Sequence, residues 1–165
     1  MFYSKESNLS LVGFSDSDWV GNTDDRKSTT GRCFYVGANL VTWMSKKQNF
    51  VSLSTVEAEY IAVGSCCSYL LWMEKLLSDY GISQDTMIVY CDNSSTIDIS
   101  KNPIEHSKTK YIKIRYHFIR DLVERKIVAL KYIPTERQNA DFFTKPLDRS
   151  KFETLRQVIG VILCS

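Results

Sequence analysis

The order of patterned segments predicts an α/β (α+β) fold, a five-stranded mixed sheet flanked by helices. Strand-like runs follow one another early in the chain, with a hairpin signal between two of them. Strand and helix patterns alternate from there on, which places helices against a sheet with parallel members. At 165 residues and 44% hydrophobic, the chain can bury one sizeable core. The expected organisation is a tail over residues 1–10 and one domain over 11–165, C-terminal helix included.

Leu11 to Trp19 reads as a first strand, followed by a polar turn from Gly21 to Arg26. Thr30 to Val36, the turn Gly37-Ala38-Asn39 and Leu40 to Ser45 read as a hairpin, and Phe50 to Leu53 as further strand. A long amphipathic helix should run from about Thr55 to Tyr80, stopped by Gly81. Met87 to Cys91 is an apolar strand, and Ser94 to Ser100 a short helix ended near Asn102-Pro103. A second amphipathic helix is expected over Thr109 to Lys126, then a strand from Ile127 to Ile133 terminated by Pro134. A short helix near Asp141 follows, and the capping box Ser150-Lys151-Phe152-Glu153 announces the last one.

Composition excludes several classes. No apolar run reaches the length of a membrane span, and the N-terminus does not read as a signal peptide. The five cysteines, at 33, 66, 67, 91 and 164, include no CxxC pair. That points to buried reduced thiols in a cytoplasmic or nuclear setting rather than a disulfide framework or zinc site. Two histidines, His106 and His117, are too few for a histidine-based metal or nucleophile site. The net charge of +2 hides a split: residues 1–100 carry 7 basic and 12 acidic side chains, residues 101–137 carry 10 and 4. Carboxylates to hold metal beside cations to hold phosphate suit a metal-dependent nuclease.

Four acidic motifs carry the chemistry: Ser15-Asp16-Ser17-Asp18-Trp19, Glu57-Ala58-Glu59-Tyr60, Cys91-Asp92-Asn93 and Ala140-Asp141-Phe142-Phe143-Thr144-Lys145. Two unit charges about 4 Å apart repel by roughly 4 kcal/mol at an effective dielectric near 20. A cluster of carboxylates therefore persists when protons or divalent cations neutralise it. An all-oxygen set suits Mg²⁺ or Mn²⁺, and the matching chemistry is metal-assisted phosphodiester hydrolysis. Asp16 and Asp18 share a face of the strand, so periodicity leaves both as candidates. An EF-hand loop from Asp16 fails, because Val20 and Lys27 would fall at ligand positions. In the long helix Glu57 belongs to the capping box Ser54-x-x-Glu57, whereas Glu59 heads the face Val63, Cys66, Leu70, Met73, Leu77.

Together with Asp25-Arg26-Lys27-Ser28-Thr29-Thr30-Gly31, Ser45-Lys46-Lys47-Gln48 and Ser54-Thr55-Val56-Glu57-Ala58-Glu59-Tyr60, these motifs make the chain similar to the ribonuclease H domain of copia-type LTR retrotransposon polyproteins. The resemblance runs from about Gly13 to the C-terminal helix and implies a ribonuclease H-like fold. It selects Asp16, which follows Phe14-Ser15, and implies that Asp16, Glu59, Asp92 and Asp141 are catalytic and hold two Mg²⁺ ions, with Mn²⁺ as a substitute. One ion would activate the attacking water and the other stabilise the leaving 3′-oxygen. The implied substrate is the RNA strand of an RNA–DNA hybrid, and the implied partner a reverse transcriptase domain of the same polyprotein. Cellular members carry a histidine shortly before the last aspartate; here Pro134 to Ala140 has none, leaving its role to Glu136 or a distant side chain. The alternatives are a catalytically silent nucleic-acid-binding module and an integrase-like nuclease, whose Asp, Asp, Glu order differs from this one.

The basic helix shows Lys110, Lys113, His117 and Arg120 roughly opposite Ile112, Tyr116, Ile119 and Val123, a cationic ridge suited to phosphate backbones. Arg26, Lys27, Lys46 and Lys47, expected in turns nearer the carboxylates, and Asn93, opening the helix after Asp92, complete the expected nucleic-acid contacts.

Overall fold

The computed structural model describes residues 9–19, 26–101 and 110–161, without the side chains of 110–113. Residues 1–8 of the expected tail, most of the Gly21–Arg26 turn, the Asn102-Pro103 break, His106 and Cys164 lie outside the described residues, as do the side chains of Lys110, Ile112 and Lys113.

Five strands form one sheet in the order β3-β2-β1-β4-β5. They are β1 (Leu11–Asp18), β2 (Thr29–Val36), β3 (Asn39–Lys47), β4 (Met87–Cys91) and β5 (Val128–Tyr132). The first three are antiparallel neighbours, while β1 with β4 and β4 with β5 are parallel. The helices are α1 (Thr55–Asp79), α2 (Ser94–Lys101), α3 (Lys110–Glu124) and α4 (Arg149–Val158), with 3₁₀ turns at Thr135–Arg137 and Asn139–Phe143. The main core lies under α1 and α3, where Leu11, Phe34, Val63, Leu70, Val89, Ile119 and Val128 are buried together. A smaller core on the other face joins Cys33, Tyr35 and Leu40 to Ala140 and Ile159. Fully burying each such aliphatic side chain contributes about 1.5–3 kcal/mol.

The β2–β3 turn is tighter than its composition suggests. Asn39 already pairs with Val36, leaving Gly37-Ala38 as a two-residue loop, and Gly37 has φ 61°. A glycine at positive φ in the first loop position matches the twist of the flanking strands. The same ladder runs from Thr29↔Lys47, so Lys46 and Lys47 belong to the end of β3 and not to a turn.

Phe50 to Leu53 is not a strand. Beyond Thr29, β2 offers only the Ser28 carbonyl, taken by the Gln48 N–H at 2.8 Å, so the following residues have no ladder to join. Phe50, Val51 and Leu53 stay exposed in a connection to α1. The last helix also starts earlier than the Ser150 box implies. Asp148 is its N-cap, accepting from the Lys151 N–H at 3.0 Å, and Glu153 pairs with Arg149 instead of reaching back to Ser150.

The α3 terminus folds back through bonds from the Lys126 N–H to the Val123 carbonyl and from the Ile127 N–H to the Leu122 carbonyl. This puts Lys126 at φ 56°, a left-handed position that favours glycine. Lys126→Gly should raise the unfolding free energy by roughly 0.5–1 kcal/mol, read from urea melts as a higher midpoint at unchanged slope.

Candidate active site

Parallel pairing of β1 with β4 brings the carboxylates together. The register Phe14↔Tyr90, carried two residues on, sets Asp16 beside Asp92, where β4 gives way to α2. This is the carboxyl end of adjacent parallel strands, where open α/β sheets bind ligands. Asn93 rather than Asp92 caps α2, with its Oδ1 accepting from the Thr96 N–H at 3.0 Å. Asp92 is thereby left half-buried at the site, where its Oδ2 accepts from the Thr135 hydroxyl at 2.7 Å.

Glu59 arrives from α1. Ser54 caps the helix, and Glu57 folds back to accept from the Leu53 N–H at 2.7 Å, one residue before the cap itself. Glu59 is 3% exposed, which rules out a solvent-facing end to its stripe. Its Oε1 accepts from the Ser17 N–H at 2.8 Å, and its Oε2 faces the Cys91 thiol at 3.8 Å. Burial pushes the Glu59 carboxyl well up, and the charges of Asp16 and Asp92 push it further. Ligand atoms of Glu59, Cys91 and Asp92 all lie within 4.8 Å of one another. Burial also raises the Cys91 thiol, so at neutral pH it donates to Glu59.

Asp16 is 5% exposed and accepts from the Thr144 hydroxyl at 2.6 Å. Burial raises its pKa to about 7; the Thr144 bond and Lys145 pull it down, and Asp92 and Asp141 push it up. Asp141 and Thr144 reach the site on the Asn139–Phe143 turn, laid against β2 at Gly31. A Cβ there would meet Thr144 Cγ2 at 2.5 Å and the Ala140 carbonyl at 2.6 Å, so only glycine permits this approach. Gln138 anchors the turn through its Nε2, which donates to the Ser15 carbonyl at 2.9 Å.

Asp141 differs from the other three. It is fully buried and carries two ammonium partners, Lys145 at 2.7 Å and Lys151 from α4. Burial alone would raise its pKa, but the two lysines outweigh burial and hold the carboxyl below its usual range. Among the described residues Asp16, Glu59 and Asp92 have no ion pair. The donor set fits a hard divalent cation: carboxylate oxygens from separate elements, with burial and neighbouring carboxylates raising Asp16 and Glu59 beyond what their hydrogen bonds offset. The four expected carboxylates thus lie close enough to feel one another, Asp16 the charges of Asp92 and Asp141 and Glu59 those of Asp16 and Asp92. Of the four, Asp141 has ion-pair partners among the described residues. Asp18 sits half-buried at the end of β1.

Several site residues escape sequence reasoning. Thr144 and Lys145 follow Asp141 by three and four positions, a spacing that places them on its side of a helical turn. Lys151, Ser17 and Gln48 give no such signal. Gln48 Nε2 donates to the Ala58 carbonyl and Thr30 hydroxyl at 3.0 Å and to the Ser17 hydroxyl at 3.3 Å, tying β1, β2 and α1 together. Of the expected nucleic-acid contacts, Arg26, Lys46 and Lys47 are exposed, Lys27 and Asn93 half-buried, and Arg120 pairs with Glu124 at 2.7 Å. Glu136 is exposed beside Thr135.

No family model matches the chain. It is 40% identical over 151 residues, 92% of its length, to the retrovirus-related Pol polyprotein from transposon TNT 1-94 of Nicotiana tabacum. It is 41% identical over 163 residues, 98% of its length, to the corresponding polyprotein from transposon RE2 of Arabidopsis thaliana. The chain spans 11% of the length of each. LC11-RNase H1, isolated from compost, superposes with a TM-score of 0.62 at 17% identity, covering 82% of this chain and 93% of that one. The chain is a copia-type Pol homologue with the ribonuclease H fold. A foamy viral protease–reverse transcriptase in complex with RNA/DNA hybrid also matches this ribonuclease H-like domain, with a TM-score of 0.56 at 12% identity, covering 93% of this chain and 22% of that one.

Two outcomes test this site. Gly31→Ala should destabilise by about 1–3 kcal/mol through overpacking against the Asn139–Phe143 turn, measured by urea unfolding. In metal-free buffer stability should fall as pH rises from 3.8 to about 7, because folded Asp16 keeps its proton across that window while unfolded Asp16 does not. Its contribution is complete below 3.8 and gone above about 7. Asp141 is shifted the other way, so its contribution holds above 3.8 and fades as pH falls. Asp16→Asn should flatten the decline between the two values, and unfolding free energies measured across that range check it.

Proposed function

We propose that the domain is a metal-dependent endoribonuclease that hydrolyses the RNA strand of RNA–DNA hybrids. The observation that carries this reading is that ligand atoms of Glu59 and Asp92, from α1 and the end of β4, lie within 4.8 Å of one another beside Asp16 of β1, whose charge raises Glu59. The three are buried or half-buried and without an ion pair among the described residues. The ribonuclease H fold and the Pol homologues support it, as does the RNA/DNA hybrid bound by the similar LC11-RNase H1 (TM-score 0.59). The reverse transcription setting is proposed on the same homology.

Asp16, Glu59, Asp92 and Asp141 would hold Mg²⁺, which supplies an acidified water and charge stabilisation at the leaving 3′-oxygen. The chain's own groups prepare those ligands. The Ser17 N–H and the Cys91 thiol fix the Glu59 carboxylate, and Thr144 fixes Asp16. Thr135 orients Asp92, and Lys145 with Lys151 keeps Asp141 ionised. Hydroxyls and amides held by backbone fix these groups before substrate arrives, so little reorganisation remains. The RNA strand would be told from DNA by its 2′-hydroxyls in the minor groove.

Wild-type protein with Mg²⁺ should cleave hybrid and leave duplex DNA intact, read on labelled strands by gel. Glu59→Gln should abolish cleavage by at least about 100-fold, whereas Glu57→Gln should retain it, since glutamine still accepts at the helix start. Cleavage that survives Glu59→Gln sinks the assignment. Mg²⁺ should also raise the wild-type melting temperature, and Asp92→Asn should weaken that response.

A further inference from the structure

Each oxygen of Asp141 carries an ammonium. Lys145 Nζ lies 2.7 Å from Oδ1, and Lys151 Nζ reaches Oδ2. The residue is fully buried and its backbone is fixed on both sides. Its N–H donates to the Gln138 carbonyl at 3.2 Å, and its carbonyl accepts from the Thr144 hydroxyl at 3.1 Å. The carboxylate therefore cannot turn away to find another partner.

The two lysines are held differently. Lys145 follows Asp141 by four residues and also stands within charge reach of Asp16 and Asp18, which hold it at the site from further sides. Lys151 comes from α4, and Asp141 is its ion-pair partner among the described residues. Its own helix opposes it. Lys151 is the third residue of α4, after the Asp148 cap, and no acidic residue stands in that first turn. A cation there faces the positive end of the helix dipole. The next residue, Phe152, stacks on Phe142 with ring centroids 5.2 Å apart. Successive residues of α4, 151 and 152, thus grip successive residues of the turn, 141 and 142.

A divalent cation that reaches Asp141 must take an oxygen that an ammonium now holds. It repels that ammonium twice as strongly as a unit charge would at the same distance. The lysine that yields is the one with the fewest other attractions, Lys151, whose side chain is 24% exposed and so has water within reach.

We propose that Lys151 is an internal counter-ion that competes with a divalent cation for Asp141, so that metal loading releases the first turn of α4 from the Asn139–Phe143 turn. The inference rests on the metal site proposed above and couples that site to α4. Lys151 is on this account a positioning residue, holding Asp141 charged and in place until the cation arrives.

Mg²⁺ titrated calorimetrically into the whole chain without nucleic acid reads the competition, because nothing is cut. Lys151→Met should bind Mg²⁺ several-fold more tightly than wild type. Its metal-free melting temperature should be lower, since buried Asp141 loses a partner, and saturating Mg²⁺ should close most of that gap. Lys151→Arg, which keeps the charge, should stay near wild-type affinity. Phe152→Ala removes the ring stack and no charge, so it should also tighten Mg²⁺ binding, and it carries the test if Lys151→Met does not fold. In wild type, Mg²⁺ should speed amide hydrogen exchange at Lys151 and Phe152, whose N–H groups donate to the Asp148 side chain and carbonyl, and leave α1 protected. Mg²⁺ binding that no folded variant tightens overturns the competition and leaves Lys151 a structural partner of Asp141. Tighter binding in Lys151→Met with exchange in α4 unmoved by Mg²⁺ overturns the release of α4. Wild-type protein that binds no Mg²⁺ overturns the metal site and this inference with it. Variants that bind Mg²⁺ more tightly while no form of the protein cuts hybrid overturn the nuclease reading alone.

Discussion

Like charges packed out of water at the carboxyl end of β1 and β4 are the constraint around which this domain is arranged. Burial raises both Asp16 and Glu59; the charge of Asp92 raises both further, and that of Asp16 raises Glu59. Such a cluster stands only where the scaffold is stiff enough to hold groups that would otherwise separate. Here the scaffold is a parallel ladder between two central strands, a long helix packed across it and an amide bond from Ser17 to Glu59. The core under α1 stabilises the fold, and part of that stabilisation is spent on keeping the carboxylates together.

The two faces of the sheet contribute unequally. From the α1 side come Glu59 and the glutamine brace at Gln48; from the other come Asp141, Thr144 and Lys145 on a short turn pressed against Gly31. The second face has only a small core, so its placement relies on specific contacts, chiefly Gln138 on the Ser15 carbonyl and the absent side chain of residue 31. Lys151 adds a link from α4 to Asp141. The carboxylate with cationic partners is thus the one delivered by the less densely packed layer.

Charge is sorted in the same way. The acidic cluster and the cleft lined by Arg32 are neighbours through Gln48; the described lining of the cleft includes no carboxylate, and in the cluster Asp141 is the carboxylate that carries ammonium partners.

Much of this was legible in the residues. Glu59 could be separated from Glu57 because a capping box occupies one and the helical face claims the other, and burial at 3% agrees with that face. Strand alternation left Asp16 and Asp18 equal, since period two cannot say where a strand ends; the resemblance preferred Asp16, and packing buries Asp16 more deeply. Phe50 to Leu53 misled because β-rich composition says nothing about whether a ladder partner remains, and β2 had run out. Ser150 misled because a capping box is a local pattern, and Asp148 supplied an equally good acceptor two residues earlier. Local sequence, then, determined the elements, their order and the set of carboxylates, because periodicity and caps act within a few residues. Which charges would be paired, that Lys151 would meet Asp141 and that Arg32 would be buried without an anion were decided only by the tertiary structure, because they depend on contacts between residues distant in the chain.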